Sequence, residues 1–139
     1  MKLHDLRYFK RPENIILFAQ IFVSLIILKI LLSLMKLPRL LRLLEPKKRI
    51  PLDDSKIEYI VKFTNYILHN VFRSPNPCLL KSLLFFRQLR MMGMDIKIAF
   101  GVKDDINGLQ GHAWLIFNKN HFLGQDDLSK EYCTTFVYP

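Results

Sequence analysis

At Gly93 the period of the hydrophobic pattern changes. Residues 78–92 (CLLKSLLFFRQLRMM) read as a helix that Gly93 stops. Beyond the glycine, DIKIAFGV (95–102) and GHAWLIF (111–117) alternate or run continuously apolar, as strands do. NKN (118–120) reads as a three-residue hairpin turn, HFLGQ (121–125) as its return, and CTTFVYP (133–139) as a last short strand. KDDINGLQ (103–110) reads as a turn-rich loop. Helices first and strands afterwards predict an α+β fold, with a helix packed on a small antiparallel sheet.

Upstream, Asp53, Asp54 and Ser55 offer N-caps for a helix over about 56–72, which RSPNP (73–77) stops. The segment EPKKRIP (45–51) carries two prolines and three basic residues and reads as a linker. The expected division is therefore 1–50, a basic and apolar helical region, and 51–139, the core domain. With 139 residues, half of them hydrophobic, the chain has enough apolar area for a core of its own.

The apolar stretch IILFAQIFVSLIILKILLSLM (15–35) belongs to a predicted helix over 14–36, after an irregular arm at 1–13 and before a break at Pro38. It is long enough to cross a bilayer. Lys29 near its centre opposes spanning, at roughly 3 kcal/mol on insertion scales. On a helical wheel Lys29, Ser33 and Lys36 fall on one side and Gln20 and Ser24 nearly opposite, so no single polar face emerges. A buried helix, a helix lying on a membrane and a true span are all compatible with this pattern. The first two rank above the third. No signal-peptide cleavage site follows.

The formal net charge is +9, and Lys36, Arg39, Arg42, Lys47, Lys48 and Arg49 crowd into one stretch. Such a cluster meets anionic lipid, an acidic peptide or nucleic acid, or is simply solvated. With no zinc-finger, RNA-binding or phosphate-loop pattern, nucleic acid is not expected as a partner. Two cysteines, Cys78 and Cys133, make neither a disulfide framework nor a zinc spacing, so no metal is expected and the chain reads as cytoplasmic and reduced, with membrane association left open.

Cys78 opens the helix before Gly93, and His112 stands in a strand beyond it. A helix N-terminus and an adjacent imidazole both favour the thiolate, the nucleophilic form of a cysteine. Alternation places His112, Trp114 and Ile116 on one face of the strand. If the helix of Cys78 packs on that face, its start reaches His112. The three-residue turn would pair Phe117 with His121 and so set Asp126 opposite His112; a four-residue turn would set Asp127 there. A carboxylate beside the imidazole would fix its tautomer and stabilise the imidazolium. Taken singly, a cysteine in a leucine-rich helix is usually a small core residue, and a histidine in a strand is often structural. Cys133 reads as structural. His4, His69 and His121 have no argued partners, Asp104 and Asp105 read as solvated, and Met91, Met92 and Met94 as packing.

On these residues the chain resembles the transglutaminase-like cysteine peptidases of lasso-peptide biosynthesis, which remove leader peptides. The resemblance rests on PCLLKSLLFFRQLRMMGMDIKIAFGV (77–102), GHAWLIF (111–117) and GQDDL (124–128). It implies a transglutaminase-like, papain-like core behind a long N-terminal helical segment. Cys78 would be the nucleophile, His112 the base and Asp126 the orienting acid. The backbone N–H of Cys78 would serve as an oxyanion donor. It implies a precursor peptide as substrate, a separate leader-recognition protein, and an asparagine-synthetase-like cyclase that brings ATP to the complex. No cofactor on this chain is implied. Three features depart from the family pattern: Lys81 stands where an arginine is usual, Ile116 where an acidic or polar residue is usual, and the hairpin turn before Asp126 reads slightly long. Two other classes remain: a membrane or partner-binding adaptor using helix 15–35, and an acyltransferase or transglutaminase with the same triad.

Overall fold

The computed structural model describes residues 10–51, 53–73, 77–122 and 130–138. Helix α1 (Pro12–Leu34) starts on a proline, which has no amide hydrogen to leave unsatisfied in a first turn. The chain turns extended at Met35 and Lys36, and Pro38 then lies in the first turn of α2 (Leu37–Leu44). Asp53 caps α3 (Asp54–Tyr66), its carboxylate accepting from the backbone N–H groups of Ser55 and Lys56. The helix runs on as a π-helical segment over Ile67–Phe72 and stops at Arg73 in the left-handed conformation. Helix α4 (Pro77–Met91) ends at Gly93, which has φ +84°. There the N–H of Gly93 donates to the carbonyl of Arg90 and that of Met94 to the carbonyl of Leu89, a Schellman cap.

Strands β1 (Ile96–Asp105), β2 (Gly108–Phe117), β3 (Asn120–His121) and β4 (Cys133–Tyr138) form one antiparallel sheet in the order β3-β2-β1-β4. The loop expected over 103–110 is strand almost throughout. A tight turn at Ile106–Asn107 joins Asp105 to its partner Gly108, which has φ +110°. Asp105 accepts from the Ile106 N–H at 2.8 Å and from Gln110 Nε2 at 2.7 Å, so an aspartate that composition assigns to a loop holds a hairpin together. The second turn is also tighter than expected. Asn118 and Lys119 both have positive φ, as a two-residue hairpin turn of type I′ requires, and Phe117 pairs with Asn120 rather than His121.

Alternation and register place Ile96, Ile98, Phe100, Ala113, Leu115 and Phe117 on one face of the sheet. That face joins Leu80, Leu83, Leu84, Phe85, Phe86 and Leu89 of α4 in one hydrophobic core. The same core takes Ile21, Leu25 and Leu28 from α1 and Leu40, Leu41 and Leu44 from α2, so it continues across the linker at 45–51. Arg90 of α4 ties the end of α2 to the start of β1. Its Nε donates to the Ile96 carbonyl at 2.9 Å, Nη1 meets Glu45 at 3.0 Å, and the guanidinium lies 5.0 Å from the Phe86 ring centroid.

Candidate active site

Pro77 occupies the first position of α4 and Cys78 the second, so the half-buried thiol stands in the first turn among amides with no intrahelical partner. Four residues on, Ser82 is buried and donates its hydroxyl to the Ala113 carbonyl at 3.0 Å. This bond fixes the first turns of α4 against β2, one residue from His112. Lys81 lies one turn from the cysteine. Burial pushes its ammonium below the usual lysine value, and the neighbouring Cys78 partly offsets that shift.

His112 pairs with Gly101 across the β1–β2 ladder. Its ring stacks on Tyr132, 4.9 Å between centroids, and on Trp114, 5.8 Å. Trp114 is buried and lies across Gly101. A Cβ at Gly101 would stand 2.7 Å from Trp114 Cη2 and 2.8 Å from the Cys133 carbonyl oxygen, so only glycine leaves room for the indole. Tyr132 is held in turn: Lys103 Nζ lies 5.4 Å from its ring centroid and pairs with Glu131 at 2.6 Å. Burial pushes the His112 imidazole below the ordinary histidine value and favours the neutral ring, and Nε2 is buried with no hydrogen-bond partner among the described residues.

Cys78 and His112 line one cavity of about 280 Å³, where residues 100–102 of β1 and 111–113 of β2 pass the start of α4. Leu37, Leu79 and Phe100 give it apolar walls, and Thr135 contributes from β4. The site thus places a thiol, a neutral imidazole and an apolar recess together. That set suits attack on a carbonyl carbon and retention of an acyl group.

Two expectations from the sequence are corrected by the sheet. Helix α4 packs on the Leu115 face, whereas His112 belongs to the opposite face with Trp114, Lys97 and Gly101. The reason is composition: over residues 96–102 and 111–117 the Leu115 face is wholly apolar, and the other carries Lys97 and His112. The three-residue turn that set Asp126 opposite His112 is a two-residue turn. Asp126 and Asp127 themselves lie outside the described residues. Among the described residues no three His, Cys, Asp or Glu side chains converge as metal ligands. Sequence reasoning missed Tyr132, which no spacing links to a histidine twenty positions earlier. It treated Lys81 only as a departure, although a residue three positions from Cys78 on a helix faces the same side.

A helix-borne thiol and a strand-borne imidazole at one cavity, in an α+β fold, define the class of cysteine-dependent acyl-transfer or hydrolytic enzymes. The Transglutaminase-like superfamily matches residues 23–137, and the chain belongs to it. Its fold is accordingly a transglutaminase-like core. Comparison with curated proteins and with solved structures returned no match.

Proposed function

We propose that this protein is a cysteine peptidase that removes the leader from a ribosomally made lasso-peptide precursor. The observation that carries the reading is the cavity that Cys78 and His112 both line, with Nε2 of His112 buried and, among the described residues, without a hydrogen-bond partner. A neutral imidazole whose Nε2 has no partner among the described residues is free to accept a proton. In the proposed reaction it takes the thiol proton as Cys78 Sγ attacks the scissile carbonyl. The amine leaves with that proton, and water then hydrolyses the thioester. Lys81 adds positive charge beside the developing thiolate. Asp126 is the proposed orienting acid, with Asp127 as its alternate. The finer substrate rests on the likeness of 77–102, 111–117 and 124–128 to leader peptidases. With it come a separate leader-recognition protein and an ATP-dependent cyclase as partners.

The test incubates the protein with a precursor peptide and its recognition partner and follows the products by mass. Hydrolysis gives two fragments whose masses sum to precursor plus one water, and this product is absent with Cys78→Ala or His112→Ala. Products carrying an added amine in place of water would move the activity to acyl transfer. Alkylation supplies a check that needs no substrate. Near neutral pH Cys78 is expected to react faster than Cys133, and His112→Ala is expected to remove the difference. Equal rates in both proteins would turn the reading towards a non-catalytic adaptor.

A further inference from the structure

Helix α1 carries two apolar seams on opposite sides, and the fold uses only one. Ile21, Leu25 and Leu28 are buried in the core. Ile16, Val23, Ile27, Ile30 and Leu34 lie at helical spacing on the other side, with the exposed Gln20 between Ile16 and Val23. The first four are roughly half exposed, and Leu34 is 75% exposed. The two serines that flank this bare seam do not call for water, because Ser24 donates to the Gln20 carbonyl at 2.7 Å and Ser33 to the Lys29 carbonyl at 3.2 Å. Lys29, the one cation within the helix, is drawn back to the protein, 5.5 Å from the Phe72 ring centroid.

Cations bound the seam at both ends. Lys10 and Arg11 precede it, and Lys36, Arg39, Arg42, Lys47, Lys48 and Arg49 follow, all exposed and, among the described residues, in no salt bridge. We propose that α1 lies in the plane of an anionic lipid surface, with its bare seam in the acyl boundary and these basic residues among the headgroups. Of the occupants an apolar seam can take, charge complementarity selects this one. A second copy of a chain with net charge +9 would bring like charge to like. The helix is long and apolar enough to span. Spanning, however, would pull Ile21, Leu25 and Leu28 out of the core. The inference does not depend on the peptidase reading.

The test is co-sedimentation of the full chain with vesicles of phosphatidylglycerol and phosphatidylcholine, and with vesicles of phosphatidylcholine alone. Binding is expected to the anionic vesicles, to weaken with added salt, and to be released by alkaline carbonate. The double substitution Ile27→Glu with Ile30→Glu is expected to lower partitioning at least about tenfold. The triple substitution Lys47→Glu, Lys48→Glu and Arg49→Glu leaves the seam intact and is expected to lower it roughly a hundredfold. Unchanged emission from Trp114, the single tryptophan, shows that each variant is folded. Equal binding by wild type and both variants, or equal binding to neutral vesicles, overturns the proposal. Resistance to carbonate overturns it in favour of a span. Lipid-free self-association that Ile27→Glu with Ile30→Glu abolishes overturns it in favour of a second copy.

Discussion

His112 and Gly101 face each other across β1 and β2, and each carries a consequence. The folded protein holds the His112 imidazole below 6.5 because burial penalises the charged ring. Above 6.5 the ring is neutral whether the chain is folded or not, and the group adds no pH dependence. As the pH falls below 6.5 the unfolded chain takes up a proton that the folded one resists, so stability is lost towards the lower, folded value. Urea unfolding of wild type and His112→Gln across this range should therefore show a constant difference above 6.5 and a drift against the wild type below it. A difference that stays flat would place the imidazole in solvent. At Gly101 the constraint is steric. Ala would set its Cβ under 3 Å from both the Trp114 ring and the Cys133 backbone. Gly101→Ala should lower stability by about 1–3 kcal/mol in the same measurement, as overpacking does. An unchanged urea midpoint would show that the indole and β4 yield freely.

Between elements, the join that positions the candidate site is a single hydroxyl. Ser82 is buried, and its bond to the Ala113 carbonyl ties α4 to β2 one turn from Cys78 on the helix and one residue from His112 on the strand. Ser82→Ala should cost about 1 kcal/mol of stability. It should also reduce Cys78 alkylation towards the Cys133 rate, which a purely structural loss elsewhere would not do. Much of this scale was legible in the sequence. The Asp53 cap, the proline before Cys78 and the Gly93 stop are local chemistry, and each sets an end within a residue or two of the expectation. The hairpin at 106–107 was missed because Asp104, Asp105 and Asn107 look like loop composition, although Asn107-Gly108 is a strong hairpin signal. Which residue stands opposite His112 was not legible at all. Its assignment hangs on turn length, and one residue of slip moves every side chain to the other face. Nor does alternation say which face a helix will cover; that was decided by Lys97 and His112 interrupting one of the two.

At the scale of the whole chain, α1 explains why a helical wheel singles out no one face over residues 15–35. Two apolar seams on opposite sides cancel each other's asymmetry, so a helix that is amphipathic towards neither side can still be half core and half surface. The two seams can be separated by substitution. Leu25 is fully buried in the core shared with α3, α4 and the sheet, and Ile27, two residues along, is half exposed. Leu25→Ala should lower the stability of the whole protein by about 2–5 kcal/mol, because it opens a cavity where α1 packs on α3 and α4. Ile27→Ala should stay within about 0.5 kcal/mol, as a surface change does. Trp114 sits in the sheet, far along the chain from α1, so its emission during urea unfolding reports whether the loss at Leu25 reaches the candidate site. One shifted transition, followed equally by Trp114 emission and by helical circular dichroism, would mean that α1 and the core domain unfold as a single unit. An early helical transition that leaves Trp114 emission unmoved would make α1 an independent arm, and the Cys78–His112 cavity would then owe it nothing.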